Sequence, residues 1–272
     1  EFLLARAKTW FEPAPWRALA QRAAALLEAG GSMDTAAQLL LDIEDHPGLA
    51  RLILTQAEAL AMTGRLQTIA QWIAALPPEM VSANAWFTYW NAVASLPFDP
   101  AGARDQLESA YNLFEKQENP VGMYLAWAGY AETFFFIWHE FSPLDRWMEK
   151  YRELTARYPE CPSIEIEARV VYGMLNAVWW RRPKKDDMRY WAERAEALLV
   201  VNIDANLRTM IGISLLLFYM WGIGDYLNAE RILRLVRPLA TAERQTGPLY
   251  RIMWKLLETG FHAVTNNQDA CL

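Results

Sequence analysis

Hydrophobic residues recur along almost the whole chain at intervals of three and four positions, which is the spacing of one face of an α-helix. No segment alternates apolar and polar residues between hairpin turns, as a half-buried strand would. Cap residues and prolines that suit the first helical turn stand at Ser32, Asp99-Pro100 and Ser142-Pro143. The sequence therefore predicts an all-α fold.

The helices predicted between the breaks form pairs, and the first helix of each pair recurs at a nearly regular distance. The predicted starts lie near Trp16, Leu49, Asn84, Gly122, Ile164, Asn206 and Pro248. They are about 33 to 42 residues apart, close to the 34-residue period of tetratricopeptide (TPR) repeats. We therefore expect a right-handed superhelix, or solenoid, of about six to seven TPR-like helix-turn-helix repeats.

Two turns fit the TPR pattern closely, at residues 63–69 and 223–229. Gly64 and Gly224 permit the tight reversal between the two helices of a pair, and the middle repeats lack this glycine. We expect residues 1–79 to form a linker and short TPR-like helical pairs. Residues 80–272 are expected to form longer, degenerate repeats that continue the same superhelix.

The charge and the cysteine content indicate which partners and which cellular compartment to expect. The net charge is −6 and no long basic run occurs, which argues against direct contact with nucleic acid. Cys161 and Cys271 stand alone, which predicts idle thiols in a reduced, cytoplasmic protein. The most apolar segment, residues 210–224, is shorter than a membrane span and is predicted to be a buried helix. The chain begins with Glu1, and we expect it to be a piece of a longer protein.

Motifs that carry catalysis or metal binding are missing from the sequence. There is no GxxxxGK[ST] phosphate loop, no HExxH or Cys/His metal pattern and no GxSxG nucleophile turn. We therefore expect a protein that is not an enzyme and that needs neither cofactor nor metal. His139 has two interpretations: a ligand contact at the end of a helix, or a histidine near a helix C-terminal dipole.

Aromatic residues are the most distinctive surface-forming feature, with 13 Trp, 11 Tyr and 11 Phe. Many lie on the predicted first helices, which line the concave face of a TPR-like stack, so some rings could form a binding groove. The alternative is that the rings fill the space between helices. The candidate groove residues are Arg51, Glu58, Trp86, Trp90, Trp127, Tyr130, His139, Trp179, Arg181, Ser214, Phe218 and Trp221.

The segment Gly64-Arg65-Leu66, followed by the sequence WIAALPPE at residues 72–79, resembles the linker-and-repeat region of MalT-like, LuxR-type transcriptional regulators. The resemblance implies a superhelical sensor domain that receives an inducer or a regulatory protein. It also implies that an ATPase module and a DNA-binding domain lie elsewhere in the whole protein, because this chain contains neither motif. No ligand residue of the family can be matched here.

Three functions remain open at the level of sequence. The first is a sensor or protein-interaction domain that binds a small-molecule effector or a regulatory protein in its concave groove, with self-association possible. The second is a freestanding TPR scaffold that binds peptides or proteins. The third, an enzyme of helical-toroid type, would require an acid and a base that converge in a cavity.

Overall fold

The computed structural model describes residues 13–181, 184–242 and 246–265. The regular secondary structure of these residues is entirely helical, which confirms the predicted all-α class. The helices are α1 (Pro13–Ala29), α2 (Met33–Asp42), α3 (His46–Met62), α4 (Leu66–Ala74), α5 (Pro78–Ala83), α6 (Ala85–Ser95), α7 (Pro100–Lys116), α8 (Pro120–Phe136), α9 (Pro143–Arg157), α10 (Ile164–Trp180), α11 (Lys185–Leu199), α12 (Ala205–Leu217), α13 (Tyr226–Ala240) and α14 (Pro248–Val264).

The predicted first helices begin where the sequence pattern places them, to within about three residues. The helices α10 and α14 start at the predicted residues, Ile164 and Pro248. The short helix α5 was not predicted, because Pro77-Pro78 indicates only a break. Pro78 instead occupies the first helical turn, where its missing N–H group costs no hydrogen bond.

Three helices begin with the same cap, in which an Asp or Asn side chain accepts a hydrogen bond from the backbone N–H of a glycine three residues later. The pairs are Asp45 and Gly48, Asp99 and Gly102, and Asn119 and Gly122. The predicted cap at Asp99 is thus confirmed. Ser32 and Ser142 also precede helices, but their side chains make no capping hydrogen bond.

The two predicted glycine turns adopt the left-handed backbone conformation that they require, with φ values of 76° at Gly64 and 69° at Gly224. A turn in the middle of the chain lacks glycine, and there Glu118 adopts the left-handed conformation, with a φ of 52°. There the N–H groups of Glu118 and Asn119 donate to the carbonyls of Glu115 and Phe114, which closes the end of α7.

The chain divides into two compact units, one up to Ser95 and one from Leu96 onward. In unit 1, the helices α1 to α6 enclose a core of alanine, leucine and isoleucine side chains that also contains Phe87. Trp72 and Leu76, which belong to the segment resembling MalT-like regulators, are buried in this core. Packing in the core of unit 1 therefore accounts for the apolar residues Trp72 and Leu76 at these positions.

In unit 2, the helices α8, α10, α12 and α14 pack against one another in chain order, while α9, α11 and α13 pack beside them. The approach of α8 to α10 is close at Gly173, where an added Cβ atom would lie 3.1 Å from the Ala131 Cβ atom. We call α8, α10, α12 and α14 the inner helices. Their stacking places residues that are distant in sequence side by side.

The helix α12 continues into a π-helical turn, Phe218–Ile223, which ends at Gly224. Every residue from 209 to 220 is buried, which confirms most of the buried helix predicted for residues 210–224. Residues 221–224 are exposed and correct that prediction at its end. The combined stretch Ala205–Ile223 is longer than the sequence pattern indicated. Its 19 residues are long and apolar enough to cross a membrane by length and composition, yet 72% of its most apolar window is buried by the rest of the protein.

Candidate functional site

Four of the predicted groove residues lie in unit 1, and none of them forms an open aromatic groove there. Arg51 is exposed, and its guanidinium makes two hydrogen bonds to the Glu28 carboxylate, at 2.9 and 2.7 Å. Glu58 is exposed on α3. Trp86 and Trp90 are half-buried on α6 and each meets the Tyr89 ring edge-on, at 5.9 and 5.0 Å between ring centroids.

Four further predicted residues are buried inside unit 2 and are corrected here to interior positions. Trp127 and Tyr130 are packed between α8 and α9, where the Tyr130 ring stacks on Trp147 at 3.8 Å. Ser214 and Phe218 lie in the fully buried part of α12 and its π-helical continuation. The physical reason is that α8 and α12 have buried residues on nearly every face, because neighbouring helices pack closely around them.

The remaining four predicted residues lie at or just beyond the C-terminal ends of α8 and α10 and in the π-helical turn after α12. His139 is exposed in the loop after α8, beyond the helix end at Phe136. Arg181 donates two hydrogen bonds to the Asp145 carboxylate and so forms an ion pair within unit 2. Trp179 is half-buried against Gly222, where an added Cβ atom would lie 3.1 Å from its indole nitrogen. Trp221 is exposed.

A polar cluster that the sequence pattern did not reveal lies among the inner helices. It consists of Glu132 on α8, Arg169, Tyr172 and Asn176 on α10, and Tyr250 on α14. The charge of Glu132 acts on the ionisation of both tyrosines, and the charge of Arg169 acts on Glu132 and Tyr250. These five residues form what we call the inner polar cluster.

The solvent exposure of the cluster residues on α10 decreases from Arg169 to Asn176. Arg169, Tyr172 and Asn176 are three and four positions apart and therefore share one face of α10. Arg169 is exposed, whereas Tyr172 and Asn176 retain only 3% and 2% of their accessible surface. The cluster thus extends from solvent at Arg169 into the interior at Asn176.

Two polar atoms at the buried end of the cluster have no hydrogen-bond partner among the described residues. They are the Tyr172 hydroxyl and the Asn176 Oδ1 atom. The other half of the Asn176 amide is fully used, because Nδ2 donates to the Tyr172 carbonyl at 2.8 Å and to Ser214 Oγ at 3.0 Å. A buried polar atom without a partner costs about 1–3 kcal/mol, so a ligand that supplied the missing partners would gain that much.

The ionisable groups of the cluster are strongly influenced by their surroundings. Burial raises the pKa of the Glu132 carboxyl, and the Arg169 guanidinium only partly offsets this. Burial raises the pKa of Tyr250 to about 12, and it raises the pKa of Tyr172 well above the usual value. Glu132 and Tyr250 nevertheless keep part of their surface accessible to solvent.

Comparison with known protein families, with curated proteins and with solved structures finds no match. The chemistry of the cluster is therefore inferred from its own residues. Within residues 13–181, 184–242 and 246–265, no three His, Cys, Asp or Glu side chains form a group that could hold a metal ion. Cys161 is half-buried, and burial raises the pKa of its thiol, which disfavours the reactive thiolate. Cys271 lies outside the described residues.

One signal in the sequence could have identified Glu132. The helix α8, with the sequence PVGMYLAWAGYAETFFF, contains no other charged residue. A single carboxylate in so apolar a helix is costly to bury unless it has a role or a partner. The signal is weaker for Tyr172 and Asn176, because a tyrosine or an asparagine on a helix is unremarkable until the opposing helix is known.

Proposed function

We propose that this chain is a non-catalytic, TPR-like sensor domain of a cytoplasmic, bacterial transcriptional regulator of the MalT-like, LuxR-type class, and that it binds a small effector at the inner polar cluster. The observation that carries the proposal is the cluster itself, which leads from the exposed Arg169 to two buried polar atoms without described partners. The regular spacing of the first helices supports the proposed right-handed superhelix of six to seven repeats.

The phenols of Tyr172 and Tyr250 suit the recognition of a ligand. Burial raises their pKa values above the usual one, so both phenols are protonated at neutral pH and can donate a hydrogen bond. Donors held in fixed positions by packed helices suit the selective binding of a polar ligand. The resemblance at residues 64–79 connects such binding to transcriptional regulation, with the ATPase and DNA-binding functions outside this chain.

The proposal is tested by thermal unfolding of the chain in the presence of small sugars, nucleotides, amino acids, amines and organic acids. A ligand that binds only the folded protein raises the melting temperature by mass action. We expect at least one class to do so, and we expect Tyr172→Phe and Glu132→Gln to reduce the shift. Trp221→Ala, a change at an exposed ring outside the cluster, serves as the matched control.

Two results would count against the proposal. A ligand whose effect is the same in all three variants would bind elsewhere on the chain. A failure of every compound class to shift the melting temperature would leave the inner polar cluster without a sensing role.

A second candidate function is the binding of a regulatory protein or peptide by a scaffold, and one observation favours it. Trp138 and Trp221 expose 53% and 57% of their surface, and exposed tryptophans are common anchors of protein interfaces. This function predicts that Trp138→Ala and Trp221→Ala abolish partner binding while Tyr172→Phe does not. Binding measurements on these three variants distinguish the two functions.

A further inference from the structure

We infer that two copies of this chain form a two-fold symmetric dimer, in which their α14 helices pack antiparallel along an exposed apolar stripe. The stripe consists of Leu249, Ile252, Leu256, Gly260 and Ala263. The inference goes beyond the ligand-binding function, because the stripe lies outside the inner polar cluster and does not depend on it. It follows from the exposure of the stripe, from the stacking of the inner helices and from the order of large and small residues along α14.

The helix α14 is apolar on two opposite faces. One face carries the buried residues, which include Trp254 and Phe261, and α14 packs against α12 and α13. Leu256 and Ala263 stand two positions after these buried residues, which is about 200° around the helix. Ile252 and Leu256 expose 66% and 73% of their surface. An apolar stripe with this exposure marks a surface that another element covers.

The stacking of the inner helices indicates which kind of element fits the stripe. Helix α10 packs against α8 and α12, and α12 packs against α10 and α14, so each has two inner neighbours. Among the described residues, α14 has one inner neighbour, α12. A terminal repeat that faces solvent needs a polar outer face. Because the outer face of α14 is apolar instead, we expect a further helix to pack on it.

The order of residues along the stripe makes it complementary to a second copy of itself. Leu249 and Ala263 lie seven positions before and after Leu256, and Ile252 and Gly260 lie four positions before and after it. In an antiparallel pair centred on Leu256, Leu249 of one copy is therefore opposite Ala263 of the other. Ile252 is likewise opposite Gly260. A two-fold axis repeats both pairings, and large residues opposite small ones let the helices approach closely.

Gly260 is an independent indication of a close neighbour. Glycine in the interior of a helix lowers its stability relative to alanine. Nothing within one copy requires glycine here, since no atom of the described residues lies within 4 Å of an added Cβ atom. At Gly122 and Gly173, in contrast, an added Cβ atom would lie 2.3 and 3.1 Å from a neighbouring side chain. Packing of Ile252 from a second copy would account for the glycine at position 260.

The size of the stripe determines the expected strength of the dimer. A helix of 17 residues is about 25 Å long, and one face of it covers less than the roughly 800 Å² per partner of a standard stable interface. We therefore expect reversible association, with a dissociation constant on the order of 10 to 100 µM.

Sedimentation equilibrium at chain concentrations between about 5 and 500 µM measures this association. We expect the average mass to rise with concentration from that of a monomer towards that of a dimer. Leu256→Glu and Leu256→Lys each place like charges near the two-fold axis, so each should weaken the dimer roughly tenfold or more. An equimolar mixture of the two variants should restore association, because opposite charges then meet.

Leu26→Glu is the matched control for the charge introduced at Leu256. Leu26 exposes 74% of its surface, close to the 73% of Leu256, but it lies on α1 in unit 1. This variant should associate as the wild type does. Circular dichroism confirms that each variant is folded, as we expect for changes at exposed side chains.

Four results would overturn the inference. A wild-type chain that stayed monomeric over the whole concentration range would leave the stripe to a different partner. Association that both Leu256 variants left unchanged would place the interface elsewhere, and equal weakening by Leu26→Glu would show a general effect of charge. A mixture that associated no better than either Leu256 variant alone would contradict the antiparallel pairing. None of these results decides ligand binding at the inner polar cluster, which the thermal shifts of Tyr172→Phe test separately.

Discussion

Trp127 and Trp147 donate their indole N–H groups to each other's backbone carbonyl oxygens, at 2.8 and 3.0 Å. Trp127 belongs to α8 and Trp147 to α9, and both side chains are almost completely buried. The reciprocal pair joins the two helices at one point through two hydrogen bonds and two large apolar rings. It also explains why Trp127, although it is on an inner helix, is not available to a ligand.

Replacement of Trp147 by phenylalanine should therefore destabilise the protein substantially. Trp147→Phe removes one buried hydrogen bond and leaves part of the ring volume empty next to Tyr130, so we expect a loss of about 2 kcal/mol in the free energy of unfolding. Urea unfolding followed by circular dichroism measures this change. Trp138→Phe is the control, because the Trp138 indole also donates to a backbone carbonyl at 2.8 Å but is exposed. Equal losses in the two variants would contradict the role of burial.

The left-handed turn at Gly64 should discriminate between two substitutions that meet no steric obstacle. No atom lies within 4 Å of a Cβ atom added at Gly64 or at Gly260, but only Gly64 has a positive φ. We expect Gly64→Ala to destabilise the protein by about 1 kcal/mol and Gly260→Ala, inside α14, to stabilise it by about 0.5 kcal/mol. Thermal and urea unfolding compare the two variants. The same sign of change in both would show that backbone conformation at position 64 is not the deciding factor.

The close contact between Gly122 and Phe114 provides a test of packing between α7 and α8. A Cβ atom at position 122 would lie 2.3 Å from the Phe114 ring, so Gly122→Ala should cost about 2 kcal/mol or more. Phe114→Leu in the same chain should relieve part of this cost, because a smaller side chain leaves room for the methyl group. A double-mutant cycle from urea unfolding measures the coupling. Additive losses would mean that the contact is not the cause.

Glu132 should make the stability of the protein fall as the pH rises. Its pKa is raised in the folded state, so between the unfolded value, near 4.5, and the higher folded value the folded chain binds more protons than the unfolded chain. The cost of the buried carboxylate is therefore absent at low pH and fully present above the folded pKa. We expect Glu132→Gln to be more stable than the wild type at pH 7 to 8.

This advantage of Glu132→Gln should disappear below about pH 4, where both proteins carry a neutral side chain at position 132. Urea unfolding at a series of pH values measures the difference. Glu193→Gln is the control, since its carboxylate is exposed and should give no such profile. A difference between Glu132→Gln and the wild type that is constant with pH would show that the carboxyl charge is not the source.

The sequence was sufficient for features that depend on neighbouring residues. The cap at Asp99, the start of α10 at Ile164 and the turn at Gly64 each follow from a local preference that the structure bears out. The left-handed backbone at Glu118, which the sequence did not predict, shows the limit of such preferences. Glutamate disfavours the left-handed conformation, yet the carbonyls at the end of α7 require it.

The sequence was insufficient for features that depend on which helices meet. An aromatic helix face has the same periodicity whether it lines a groove or fills a core, so Trp127 and Phe218 could not be distinguished from exposed rings. The inner polar cluster could not be predicted for the same reason. Glu132, Tyr172 and Tyr250 come from three helices, and only the stacking of the inner helices brings them together.

The continuous burial of residues 209–220 in α12 and the π-helical turn has a consequence for how the protein is made. During translation this stretch leaves the ribosome before α13 and α14, the two later helices that pack against it. Until those helices emerge, the nascent chain presents an apolar rod of membrane-spanning length, covered only on the side of the helices already made. Between the synthesis of Ile223 and that of α14, the growing chain is therefore open to aggregation and to capture by chaperones at this stretch.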